Sequence, residues 1–217
     1  MSKTGETKSR GSGIALSAAA GVCLTVFLFT LAAVLILNAR WLYELDIRWL
    51  DLEGASGMQA EDILANYHAL INYNQVWFRG ELVFPTLPMS REAAIHFQEV
   101  KRIFDVIQIT CFVTGLASLF LVIRQRQRGV RIHFRIAGIL SIVIPAILGA
   151  LVAIDWERFF VTFHRVFFRN DYWLFDPVTD PVILILPDTF FLQCAAGILV
   201  IILAGAVMFL ILGRTRQ

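Results

Sequence analysis

The chain has 217 residues, 58% of them hydrophobic, with a mean hydropathy of +0.69 and a formal net charge of +2. A soluble domain of this length is excluded; the composition is that of an integral membrane protein. So small a net charge carries little information by itself, its distribution along the chain carries more, and no nucleic-acid partner is expected.

In chain order, residues 1–13 form a short polar N-terminus, and residues 14–37 are a first apolar segment. Residues 38–103 make a large loop, 104–123 a second apolar segment, and 124–135 a basic loop. Residues 136–154 are a third apolar segment, 155–189 a second loop, 190–212 a fourth apolar segment, and 213–217 the C-terminus. Each apolar segment is near the ~20 residues that a transmembrane helix needs. Orientation follows from the basic residues. The stretch RQRQRGVRIHFR, Arg124 to Arg135, holds five arginines and no acid, and Lys3, Lys8, Arg10, Arg214 and Arg216 flank the outer segments. Four spans put all of these on the cytoplasmic side, with both termini inside and the two acidic loops outside. The expected fold class is an all-α membrane protein, four transmembrane helices with a small extracellular cap at the outer membrane interface.

The first segment is longer than a signal-peptide core and no A-x-A-like site follows it, so it reads as an uncleaved span. Cys23 follows bulky Val22, which argues against lipidation there. Cys23, Cys111 and Cys194 all fall within spans, so the outer loops are not a disulfide scaffold.

In the first loop, Trp41, Tyr43 and Trp49 cluster after the first span as an interfacial aromatic belt would. The segment between 41 and 58 fits either a strand or an interfacial helix. AEDILANYHALINY, Ala60 to Tyr73, has helical apolar spacing with Glu61 and Asp62 in its first turn. Ser90 fits the N-cap of a helix that runs on into the second span. His96 then stands just outside the bilayer, with Glu92 and Glu99 one turn to either side.

The second loop contains FHRVFFRNDYWLFDPVTDPVILILP, Phe163 to Pro187. Its three prolines and its polar groups make it too broken to span, yet it is too apolar for a solvated loop. It must lie against a membrane surface. Asp176 and Asp180 read as turn caps beside Pro177 and Pro181. Its aromatics fit either an interfacial float or a wall for acyl chains. Of the four histidines, His133 reads as a solvated residue of the basic loop and His68 as structural. His96 and His164 both lie near the water–lipid boundary, where an imidazole is suited to proton transfer. A zinc site using these two and Asp171, Asp176 or Asp180 lacks any HxxxH or HExxH spacing. A serine hydrolase lacks G-x-S-x-G. Four spans without a central ionisable residue argue against a transporter. A non-catalytic membrane protein whose outward cap binds an exported or lipidated partner remains the alternative to an enzyme.

FHRVFFRNDYWLFDPVTDPVILILPDTFF resembles the signature of the bacterial lipoprotein intramolecular transacylase (Lit) family. HFQEVK resembles that family's H-x-x-D-V-K element, with Glu99 where the pattern has Asp, and ANYHALINY stands in the place of a Y-x-x-L-x-x-Y element. The resemblance implies a bacterial cell-membrane acyltransferase acting on diacylated lipoproteins. The sn-2 acyl chain of the diacylglyceryl-cysteine would move to the α-amino group of the same cysteine, giving the lyso-form. The family histidines fall on His96 and His164. Glu99, Lys101, Asn170, Asp171, Trp173, Asp176, Asp180, Tyr67, Tyr73 and Phe167 are then expected to bind or orient substrate. Diacylated lipoproteins and membrane lipids are the expected partners, with no cofactor and no metal.

Overall fold

The computed structural model describes residues 3–214, with side chains for 13–150 and 154–214. Every regular element among them is a helix: α1 (Lys3–Leu37), α2 (Arg40–Trp49), α3 (Leu52–Ser56), α4 (Ala60–Tyr73), α5 (Arg91–Gln127), α6 (Ile132–Ile154), α7 (Trp156–Phe167), α8 (Val182–Ile185) and α9 (Asp188–Leu212). Four stretches are long and apolar enough to cross a membrane: Gly13–Leu37, Arg91–Gln127, Ile132–Ala150 and Asp188–Leu212. The segment between 41 and 58 is helical, as α2 and α3, and contains no strand.

The chain divides into two compact units. One is built from Val34–Gln108 and Leu151–Gly197; the rest of the chain forms the other. In that other unit, Leu24, Leu28, Ala32, Ala137, Ile202 and Phe209 make a core. Small residues let its helices approach closely, the usual means of association between helices in lipid. A Cβ on Gly205 would sit 2.5 Å from a Leu28 methyl, so any larger residue there would make that side chain move. His133 opens α6 here and is 1% exposed, its ring 4.3 Å from that of Phe134. It is not the solvated loop residue its arginine-rich surroundings suggest, because α6 begins at Ile132 and carries it inside.

The unit containing Val34–Gln108 and Leu151–Gly197 has its own core, assembled from α2, α3, α4, the start of α5, α8 and the start of α9. Its centre is a stack of Tyr43 on Tyr67, centroids 3.7 Å apart and 7° from parallel, with Phe190 edge-on to both. The Tyr43 hydroxyl donates to the Ile185 carbonyl at 2.6 Å. Tyr43 is thus a core residue and not part of an interfacial belt. The chain from 74 to 90 has no regular structure and is pinned by side chains instead. Asn66 Nδ2 donates to Thr86 Oγ1 and Asn66 Oδ1 accepts from the Thr86 N–H. Lys101 Nζ donates to the Gln75 carbonyl and pairs with Asp105 at 3.1 Å. Ser90 Oγ accepts from the Ala93 N–H at 3.0 Å, capping α5.

Asp46 is fully buried, and neither carboxylate oxygen has a hydrogen-bond partner of good geometry. Burial pushes its pKa above the usual carboxylate value, with the Gln193 amide pulling weakly the other way. A raised folded-state pKa means stability is fully present below the unfolded value near 3.9 and is lost as pH rises through the folded one. Asp46→Asn removes the buried charge and should raise Tm near pH 7. That gain should shrink toward pH ~4, which thermal melts across pH would check.

Candidate active site

α7 is cut from its neighbour by Asp155, whose Oδ1 accepts from the Arg158 N–H at 2.9 Å and so starts a new helix. Along α7, Trp156, Phe159, Phe160, Phe163 and Phe167 recur at helical spacing, while Glu157, Arg158, Thr162 and Arg165 take the other side. No residue of α7 is buried. His164 lies at the border of these faces. Its Nδ1 is 2.8 Å from the Phe160 carbonyl one turn earlier. A carbonyl can only accept, so Nδ1 carries the hydrogen and Nε2 keeps a free lone pair.

His96 stands in the second turn of α5 and is 6% exposed. The two imidazoles meet with centroids 6.1 Å apart. Aromatic rings close around them. Phe168 is 4.6 Å from His96 and 5.6 Å from His164; Phe175 is 5.5 Å from His96; Phe160 and Trp173 are 4.2 and 4.7 Å from His164. Rings at these distances contribute packing but no charge, leaving an apolar cluster around two proton-carrying groups. Burial holds the His164 pKa below the usual histidine value, partly offset by its bond to Phe160. The His96 Nδ1 and the Trp173 Nε1 are buried without a partner.

Two contacts bind the loop carrying Phe168, Trp173 and Phe175 to α5. Asn170 Nδ2 donates to both Glu99 oxygens, at 3.0 and 3.2 Å, and Asn170 Oδ1 accepts from the Tyr172 N–H. The longer reach of Glu99 is taken up by Asn170, while Lys101 points elsewhere. Asp180, 4% exposed, accepts from the Ser90 N–H at 2.7 Å and from Thr179 Oγ1. It therefore joins its loop to the α5 cap instead of closing a local turn; Asp176 does close one, accepting from the Val178 N–H.

The expected site residues separate into groups. His96, His164 and Trp173 share one cluster, with Glu99, Asn170 and Asp180 bracing it. Tyr67 sits in the Tyr43 stack, and Tyr73 is buried with the Lys101 ammonium 5.5 Å above its ring. Asp171 is exposed and Phe167 is 53% exposed, 4.6 Å from Phe163. Phe160, Phe168 and Phe175, which the sequence suggests only as aromatics for an interfacial float or an acyl-chain wall, pack directly on the two imidazoles. Phe160 lies one helical turn before His164, so helical spacing alone puts it beside that ring; Phe168 follows the last residue of α7 with extended backbone, and its place is set by packing on His96.

A family model described as lipoprotein intramolecular transacylase Lit matches residues 18–191. The chain belongs to the Lit family. Solved structures of the Lit protein of Bacillus cereus are similar throughout. One is 33% identical, with TM-score 0.91, over 93% of this chain and 94% of that one. Another, with one histidine mutated to arginine, is 31% identical with TM-score 0.90, over 99% and 96%. A third, with a histidine mutated to alanine, is 32% identical with TM-score 0.89, over 97% and 96%. Among curated sequences no match is found. As a Lit-family member the protein is a multi-pass membrane enzyme, a lipoprotein intramolecular transacylase.

Proposed function

We propose that this Lit-family enzyme moves the sn-2 acyl chain of a diacylglyceryl-cysteine lipoprotein to the α-amino group of the same cysteine, by histidine acid–base catalysis. The observation that carries this reading is the meeting of His96 and His164 within a cluster of aromatic rings, with His164 Nε2 free to take a proton. In the reaction the amine nitrogen attacks the sn-2 ester carbonyl carbon, and His164 Nε2 accepts the proton that nitrogen sheds. The tetrahedral intermediate closes a ring of about eight atoms, which the surrounding rings favour by folding the substrate. The carbon–oxygen bond to the glyceryl group then breaks, and His164 returns the proton to the departing oxygen. An amide and a free hydroxyl result, with no change in mass. No water, nucleophilic side chain or cofactor enters the balance.

His96 suits the oxyanion. A buried N–H without a partner is costlier than a bare lone pair, so its hydrogen belongs on Nε2 and its lone pair on the buried Nδ1. An Nε2–H donor can then stabilise the charge that develops on the carbonyl oxygen. The arginines between 124 and 135 support an orientation with that loop and both termini cytoplasmic and the histidines on the extracellular side of a bacterial cell membrane.

Expression in a host that makes diacylated lipoproteins, with mass spectrometry of the N-terminal lipopeptide, tests the assignment. The expected product carries an N-linked acyl chain and a free glyceryl hydroxyl. Retention of both chains on the glyceryl group would sink it.

The pH dependence follows from the two titrating groups. His164 has its pKa lowered, so it is already a neutral base at neutral pH and is lost only as pH falls through that lowered value. The substrate α-amino group, with pKa about 7.7–8.0, must lose its proton before attack. The rate should therefore rise up to pH ~8 on account of the amine. A second, acid limb due to His164 should lie below the ordinary histidine value of about 6.5. Rate profiles with the natural and an N-blocked lipopeptide check this, the blocked one being inert at every pH.

A further inference from the structure

Nine of the ten residues of α2 divide among three chemically distinct faces, with half-buried Leu42 at a border between two of them. Tyr43, Asp46 and Ile47 are buried in the core. Arg40, Glu44 and Arg48 form a charged side, with Arg40 Nη2 donating to Asn72 Oδ1 at 2.6 Å. Trp41, Leu45 and Trp49 recur every fourth residue and so share the third face. They are 62%, 41% and 68% exposed. A helix between core and water alone would have no use for that third face.

Chain continuity says what covers it. The apolar stretch Gly13–Leu37 ends two residues before α2 opens at Arg40. Two intervening residues reach at most about 10 Å, so the start of α2 is held beside the end of a membrane span. Tryptophan prefers that depth, where its ring is among glycerol and upper acyl groups and its N–H reaches water. We infer that α2 is an interfacial helix whose Trp41–Leu45–Trp49 stripe lies in a phospholipid surface. Its charged side faces headgroups and water, and its buried side packs on Tyr67 and Phe190 through Tyr43. Arg40, Glu44 and Arg48 together leave the charged side with a single net positive charge, so the surface fits phospholipid in general without a requirement for anionic lipid. The helix that supplies half of the tyrosine stack is thereby fixed to the bilayer from its other side. The inference rests on membrane insertion and not on the transacylase chemistry.

The test uses the full chain in nanodiscs of phosphatidylcholine brominated either near the head or near the end of the acyl chain. Trp41→Phe and Trp49→Phe, singly and together, isolate their fluorescence from that of Trp77, Trp156 and Trp173. Head-proximal bromine should quench a component that the double variant loses, more strongly than tail-end bromine or aqueous acrylamide does. Stronger quenching by acrylamide would place the stripe in water and overturn the inference. A spin label at Leu45→Cys, with Cys23, Cys111 and Cys194 changed to alanine, gives an independent reading. It should be more accessible to oxygen than to an aqueous nickel chelate, with the reverse at Glu44→Cys. Labels protected from both reagents, together with a dimer that Leu45→Arg dissociates, would assign the face to a second copy and overturn the inference.

Discussion

His164→Ala should lower kcat by about 10²–10⁴-fold, the range in which a positioned acid–base group contributes. Its Nε2 is the lone pair that the Phe160 hydrogen bond leaves open, and apart from His96 the groups packed around it are aromatic rings. His96→Ala should cost about 10²–10³-fold, the usual loss for one oxyanion donor. The double variant should fall no further than the product of the two, and by less if they act as a unit on one intermediate. Time courses of lyso-form product by mass spectrometry give the rates, and unchanged thermal melts separate lost chemistry from lost folding. Full activity in both single variants would remove this mechanism while leaving the family assignment in place.

Tyr67→Ala should destabilise the protein by about 3–5 kcal/mol, as removal of a large buried ring does. Tyr67 is 3% exposed and stacked on Tyr43, with Phe190 edge-on. Deleting its ring opens a cavity at the centre of the core that also receives the start of α5. Tyr67→Phe keeps the stack and should retain both Tm and rate. Thermal unfolding in detergent and steady-state kinetics distinguish the roles. A residue that only held substrate would raise KM on Tyr67→Ala and leave Tm alone; the packing here calls for the opposite order of effects.

Several local features of this fold are readable directly from residue pattern. The apolar spacing of Ala60 to Tyr73 marks α4 with the bounds observed, and Ser90 marks the start of α5. Hydropathy marks all four membrane-crossing stretches, because a bilayer demands length and apolarity at every position and leaves few alternatives. The segment after the first span is harder. Its alternation is poor because α2 serves three environments at once, and a single periodicity cannot describe three faces. Tyr43 illustrates the consequence: it stands between two exposed tryptophans in sequence, yet it is fully buried.

The candidate site divides along the same line. Residue types and motif resemblance single out His96 and His164 from four histidines, and helical spacing already places Phe160 beside His164. Long-range pairings have no such signature. Nothing local in the chain says that Asn170 meets Glu99, that Asp180 meets the Ser90 N–H, or that Lys101 turns away to Gln75. By itself the sequence determined the membrane class, the four apolar stretches and the family, and it singled out two histidines as candidates, because each is written in local composition or a short motif. The tertiary structure alone decided that the histidines face each other, which nitrogen of His164 is free, and which expected site residues are core. Those outcomes depend on how distant helices pack, and packing is a property of the assembled chain and not of any one stretch of it.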